Sequence, residues 1–405
     1  MSSATSLKIA MLGPFGLHPN KTMRSRAFQL AKEQVKRGHQ VEIIMPPWQT
    51  PEKAGNTWEE NGVTFRYVSL SGGLPLFVWR MLTAVRHFQP DVIHAFKPKA
   101  YSGLTMWCLW YLRRLTRGKQ PLLVTDTDDW EGAGGWNDRA PYSALQKRFF
   151  AWQEKWGLTH CDQLTVASRA LETLAWGHGT PKDSVIYLPN SAGIGRSTMT
   201  DEERKQKRQA LGLTQNQPTL LLYSRLFEFD TGRLVAILAD VAKQIPDLAI
   251  LAVGSGLYDG EAAAMRQQLT EANLLDKIID TGWLDEAVLP DVLSCADVGI
   301  YLMEDDLLNR TKCPVKLADM LQLGIPVVGE SVGQVAEYLV SGETGLLRPS
   351  GDHNGLVTDL VRLLEDGELR GRLAKQAQQH LSQHFSWKKH AETLDYHYRP
   401  QLSQR

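Results

Sequence analysis

Short apolar runs return along this chain at intervals that leave room for a helix between them, and they do so in two series. Apolar runs without alternation read as strands buried on both faces, and strands separated by helical stretches build a parallel sheet covered on both sides. The first series comprises LKIAMLG from Leu7, VEII from Val41, Thr64–Val68, Val92–His94, Leu122–Thr125, Leu164–Ala167 and Val185–Leu188. The second comprises TLLLYSR from Thr219, LAILAVG from Leu248, IIDTG from Ile278, DVGIYL from Asp297, PVVG from Pro326 and GLL from Gly345. Between them LPNSAGIGRST turns small and turn-rich, which marks a linker. A length of 405 residues suits two domains of ordinary size. The expected division is therefore 1–192, 193–384 and a tail at 385–405. In that tail Phe385, Trp387, Leu394 and Tyr396 can stripe one amphipathic helix.

The first series opens as strand, glycine loop, helix, strand. The loop runs from Gly13 to Lys21, and the helix from about Arg24 to Arg37, where Gly38 ends it. This is a unit of the mononucleotide-binding kind, yet GPFGLHPNK lacks the GxGxxG fingerprint of a dinucleotide site. Four cysteines without CxxC or His-linked spacing suggest neither a disulfide framework nor a zinc site, and point to a reducing cytoplasm. No leader pattern and no apolar run of about eighteen residues is visible, so a cytoplasmic protein is expected. Charge is uneven: residues 1–190 hold 23 Lys and Arg against 15 Asp and Glu, and residues 191–405 hold 22 against 30. A basic front half can meet an anionic surface, although solvated charge without a role is the commoner reason for such asymmetry.

The stretch CPVKLADMLQLGIPVVG, Cys313 to Gly329, reads as a short helix feeding a buried strand, with Pro314 in the first turn and Gly324 just past the end. A helix N-terminus offers unpaired N–H groups to a phosphate, Lys316 adds a cation, and Asp319 follows one turn on. Arg225 stands where the strand from Thr219 stops, and its planar fork matches phosphate oxygens unless a carboxylate such as Asp297 claims it. AVGSG, Ala252–Gly256, is a tight turn after the next strand.

The order YSRL, AVGSG, TGWLDEAVLPDVLSCADVGIYL, CPVKLADMLQLGIPVVG, SGETGLLRPSGD and FSW resembles the nucleotide-sugar domain of the retaining family 4 glycosyltransferases of GT-B fold. LGPFG, RGHQVEII, PDVIHAF, VASRALETL and LPN resemble that family's acceptor-side domain. The resemblance implies an α/β protein of two doubly wound Rossmann-like domains facing across a cleft, with a closing tail helix that crosses back to the first domain. It implies donor-site roles for Arg225, Gly254, Trp283, Leu284, Lys316 and Asp319, the last at the ribose, and close approach of Gly13 and Gly16 to sugar and phosphate. It departs from the family at Thr311, where a first glutamate is often found, and at FEFDTGR, which lacks the usual phosphate-binding lysine and leaves Arg233 as the nearest cation. Lys316 is expected to take over that charge.

VTDTDDWEGAGGWNDR sets Asp126, Asp128, Asp129 and Glu131 beside Trp130 and Trp136 at a strand end. Carboxylates accept sugar hydroxyls and indoles stack on sugar rings, so Asp129, Trp130 and Glu131 are candidate acceptor contacts and Asp128 a candidate catalytic group. An acidic capping turn and a divalent-metal site remain the alternatives. His94, beside Lys97 and Lys99, is a second catalytic candidate or a structural histidine. Tyr101–Lys119 couples Trp107, Trp110 and Tyr111 with Arg113, Arg114, Arg117 and Lys119, which suits either an anionic membrane surface or a buried helix with a basic end. The expected activity is retaining transfer of a sugar from a UDP- or GDP-type donor to a glycan, lipid-linked or small-molecule acceptor. No cofactor, metal or nucleic-acid partner is expected. A silent nucleotide-sugar-binding protein, or an epimerase or phosphorylase on the same fold, is the alternative.

Overall fold

The computed structural model describes residues 6–17, 22–116, 118–254 and 260–403. The expected loop residues His18 to Lys21, Arg117, and Ser255 and Gly256 of the AVGSG turn lie outside them. The chain divides into two compact units, Met1–Asn190 with Thr311–Cys313 and Trp387–Arg405, and Ser191–Arg310 with Pro314–Ser386.

The N-terminal unit carries eight strands: β1 Lys8–Leu12, β2 Gln40–Met45, β3 Thr57–Glu60, β4 Val63–Tyr67, β5 Val92–Phe96, β6 Leu122–Thr127, β7 Gln163–Val166 and β8 Val185–Tyr187. They pair in the order β3-β4-β2-β1-β5-β6-β7-β8. Every pairing is parallel except β3 with β4. The edge strand β3 escapes the sequence reading because TWEE has no apolar run and pairs only at a rim, where one face stays wet. Helices α1 Phe28–Lys36, α2 Leu74–Phe88, α3 Ala100–Leu112, α4 Trp136–Arg139, α5 Ala144–Thr159 and α6 Arg169–Gly177 lie between the strands. The expected helix from Arg24 is in fact a wide π-type turn, Met23–Ala27, running into α1.

Two apolar layers cover this sheet. Ile9, Met11, Ile43 and Phe65 pack with Phe28 of α1 and with Leu394 and Tyr398 of the C-terminal helix Trp387–Ser403. Ala10, Ile44 and Ile93 point the other way and pack with Met81 of α2, Met106 of α3 and Trp156 of α5. The alternation follows from the two-residue period of a strand. In the tail helix the apolar stripe runs through Leu394 and Tyr398, both fully buried, whereas Tyr396 is 74% exposed; a period of 3.6 residues carries position 396 to the wet side.

The C-terminal unit is wholly parallel: β9 Thr219–Tyr223, β10 Ala249–Val253, β11 Ile278–Asp280, β12 Val298–Tyr301, β13 Val327–Glu330 and β14 Leu346–Arg348, in the order β11-β10-β9-β12-β13-β14. Strand order reverses between β9 and β12, and in open parallel sheets ligands collect outside the carboxyl ends at such a switch point. Among the described residues no helix is long and apolar enough to cross a membrane.

Candidate functional site

In the C-terminal unit the carboxyl ends of β9, β10 and β11 deliver Arg225, Gly254 and Trp283 in succession. Opposite them stands the helix Val315–Gln322, for which Pro314 is the N-cap rather than the first helical residue, with Gly324 in the left-handed conformation, φ +73°, just beyond its end. Lys316 in the first turn brings its ammonium 4.4 Å from the centre of the Tyr223 ring and 5.9 Å from that of Trp283. Gly254 adopts φ +102°, and a methyl group there would come within 2.6 Å of the Ser224 carbonyl oxygen and 3.6 Å of Lys316 Nζ. Glycine is thus required both by conformation and by space, and the backbone lies close to the cation. Trp283 is 57% exposed and Leu284 is half-buried. The Arg225 guanidinium is half-buried and makes no hydrogen bond or ion pair among the described residues. Asp297 does not claim it, since that carboxylate instead meets Arg204 and Arg208.

Asp319, expected at the ribose, is engaged inside the unit: Oδ1 accepts the N–H of Gly193 at 2.7 Å and of Ile194 at 3.3 Å, and Oδ2 accepts the Tyr223 hydroxyl at 3.4 Å. Burial pushes this carboxyl up to about 7, against the pull of those donors and of Lys316. Arg233, the cation nearest the position of the missing lysine, is locked onto Glu330 and Glu304.

In the N-terminal unit, adjacent parallel strands β5 and β6 end beside each other and bring Lys97 and Lys99 against Asp128, Asp129 and Glu131. Lys97 sits at φ +57°, a left-handed conformation uncommon for a lysine. Its Nζ lies 3.1 Å from Asp128, 2.8 Å from Asp129 and 3.5 Å from Glu131, while Lys99 meets Glu131 at 2.5 Å and the Tyr142 hydroxyl at 3.0 Å. Burial would lower Lys97, but the three carboxylates hold its ammonium well above the ordinary lysine value. Burial pushes Asp128 up to about 6 despite Lys97, whose ammonium faces its Oδ1. Asp129 is held below the usual range by Lys97 although burial opposes this. A fourth carboxyl that the sequence reading missed, Glu154 of α5, is fully buried 3.4 Å from the Thr127 hydroxyl, and burial drives it well up. Its signal was present: it is the one acidic residue in ALQKRFFAWQEKWGLT.

The remaining candidates are engaged with neighbours inside the fold. Trp130, expected as a sugar platform, is 5% exposed, donates its indole N–H to the Ala133 carbonyl and stacks on His178. Asp126 turns away from the cluster to a bidentate pair with Arg26, at 2.8 and 2.6 Å, and also accepts the Thr165 hydroxyl. Asp128, Asp129 and Glu131 thus converge on Lys97, whereas Asp126 pairs with Arg26. His94, expected at a catalytic edge, is fully buried: Nε2 pairs with the Thr165 hydroxyl at 3.1 Å and Nδ1 with the Tyr398 hydroxyl at 2.9 Å, which leaves no ring nitrogen for a substrate. Burial pushes its pKa down to about 4. At Gly13 and Gly16 an added methyl group would fall 2.7 Å from the Met23 sulfur and 3.1 Å from the Tyr67 hydroxyl.

Residues 22–191 match the glycosyl transferase 4-like domain, and residues 217–366 match the glycosyl transferases group 1 domain. The chain belongs to the group 1 glycosyltransferases. Its fold is accordingly GT-B, built from two Rossmann-like units. The chain is 21% identical to the N-acetyl-alpha-D-glucosaminyl L-malate synthase of Bacillus anthracis, over 57% of the chain and 58% of that protein. It is 24% identical to a phosphatidyl-myo-inositol mannosyltransferase of Mycobacterium leprae over 90% of both. The chain thus spans little more than half the length of the first relatives it matches, at 58%, 53% and 54%. In fold it is similar to sucrose-phosphate synthase from Thermosynechococcus elongatus, with a TM-score of 0.73, 20% identity and coverage of 98% and 100%. It is similar as well to Anabaena Alr3699/HepE, solved in complex with UDP and glucose, with a TM-score of 0.71, 17% identity and coverage of 97% and 100%.

Proposed function

We propose that this glycosyltransferase moves a hexose from a nucleoside-diphosphate sugar, of UDP or GDP type, to a glycan, lipid-linked or small-molecule acceptor with retention and without metal. The observation that carries the reading is the Lys316 ammonium held between Tyr223 and Trp283 beside the backbone of Gly254. A diphosphate lying over that glycine turn gains a cation and the N–H groups of a helix N-terminus, and Arg225 adds a fork matched to phosphate oxygens. These groups act on charge that grows as the sugar departs, so they lower the barrier more than they tighten substrate binding. The exposed Trp283 offers its ring to the base. In the N-terminal unit Asp128, near neutrality, is poised to take or return a hydroxyl proton. HepE was solved with UDP and with UDP-glucose, which supports a uridine donor as the first to test.

Thermal shift with UDP, GDP, ADP and TDP in EDTA tests the donor site. One diphosphate should stabilise the protein, and Lys316→Ala and Arg225→Ala should each weaken it about tenfold or more. NMR of the transferred anomer tests retention. Loss of all transfer with nucleotide binding intact would leave a silent binding protein, and unchanged affinity and turnover in Lys316→Ala would overturn the role of that lysine.

A further inference from the structure

We propose that the outer face of α2, α3 and α5 is a docking surface for an anionic lipid bilayer. The three helices cover the same side of the sheet, since Met81, Met106 and Trp156, one from each, share one apolar layer with Ile44 and Ile93. Their outward sides should be polar, and they are not. Leu76 and Trp79 on α2 are 44% and 57% exposed, Trp107 and Tyr111 on α3 are 38% and 40%, and Leu145 and Trp152 on α5 are 78% and 43%. Leu115, just past the end of α3, is 81% exposed. On α3 and α5 the rings connect through the buried Trp156. Trp107 lies 5.0 Å from Tyr111, Tyr111 lies 6.5 Å from Trp156, and Trp156 lies 6.4 Å from Trp152. Contiguous apolar surface of this kind marks an interaction site.

Charge selects the occupant. Residues 74–88, 100–119 and 144–159 contain nine Lys and Arg and one acid, Glu154, which is fully buried and turned to Thr127. Arg113 and Lys119 are paired with Asp162 and Asp91. Arg86, Arg114, Arg148 and Lys155 are exposed and make no ion pair among the described residues. Arg114 rides over the rings of Trp110 and Tyr111, at 5.7 and 5.5 Å. Cations on the same helices as exposed indoles and leucines match lipid phosphates above an acyl boundary, where aromatic side chains settle at headgroup depth. A nucleic acid would use the cations but give Leu115 and Leu145 nothing apolar to enter. The inference does not depend on the proposed transfer and would hold for a silent protein.

The test is co-sedimentation of the whole chain with vesicles of phosphatidylglycerol and phosphatidylcholine, against phosphatidylcholine alone, at low and high salt. Binding is expected only to the anionic vesicles, weakening as salt rises. Each cation near the surface is worth about 1 kcal/mol, or about fivefold, so reversing two in Arg148→Glu/Lys155→Glu should weaken binding by at least about twentyfold. Leu115→Ser/Leu145→Ser should weaken it too with the salt dependence unchanged, while Lys375→Glu, on the C-terminal unit, should change nothing. Circular dichroism and nucleotide thermal shift show that the variants remain folded. The proposal falls if anionic vesicles do not bind at low salt, if the charge-reversed protein binds as well as the parent, or if duplex DNA binds more tightly and ignores the leucine variant. It falls equally if ultracentrifugation shows a dimer that the leucine variant dissolves, since the face then serves a second copy of the chain.

Discussion

Replacing Asp319 with asparagine separates holding the Gly193 turn from carrying a charge. The carboxyl is 2% exposed, and its folded pKa of about 7 compares with an ordinary 3.8. Between those values the unfolded chain has already released the proton that the folded chain keeps. The unfolded state therefore binds fewer protons, and stability falls as pH rises through the window and levels off above 7. An offset of about three pH units corresponds to about 4 kcal/mol. Asparagine keeps a carbonyl oxygen for the N–H groups of Gly193 and Ile194, can donate to the Tyr223 oxygen, and has no charge to bury. At pH 4 the variant should match the parent or fall about 1 kcal/mol below it. From there to pH 8 the difference should move in the variant's favour by about 4 kcal/mol, most of it between pH 5 and 7. Urea unfolding at fixed ionic strength, followed by tryptophan fluorescence and far-UV circular dichroism, measures this, and groups common to both proteins cancel in the difference. A difference that stays flat from pH 4 to 8 would show Asp319 ionised throughout, with its backbone donors and Lys316 outweighing burial. Nucleotide affinity in the variant should stay within about threefold of the parent, because asparagine keeps the oxygen that the N–H groups of Gly193 and Ile194 meet.

Asp126→Asn leaves the Arg26 guanidinium buried with a neutral partner, and the N-terminal unit should lose about 3–5 kcal/mol in denaturant unfolding; a loss under about 1 kcal/mol would mean that the pair is not holding the sheet to the helical layer. Gly254→Ala puts a methyl group 2.6 Å from the Ser224 carbonyl oxygen at φ +102°, so it should abolish the nucleotide-induced thermal shift at a stability cost of about 1–3 kcal/mol. A full shift in that variant would remove the turn from the donor site.

The sequence by itself determined the elements. Apolar runs long enough for a strand, separated by helical periodicity, can be buried only in parallel sheets, and both sheets form where those runs stand. Local chemistry also ended the helix before β13 at Gly324, since left-handed backbone there favours glycine. Lys316 at the first turn and Arg225 at a strand end were legible for the same reason, their positions following from element boundaries alone. Tertiary structure decided which partner each polar group found. His94 is claimed by Tyr398, 304 residues away, and Asp319 by backbone 126 and 125 residues before it. Trp130 lost its expected role to a hydrogen bond with Ala133 and a stack on His178. A buried carboxylate or imidazole takes whatever donor or acceptor folding brings within about 3 Å, because leaving it unmatched costs more than a local preference can return. Periodicity along a chain holds no record of that distance.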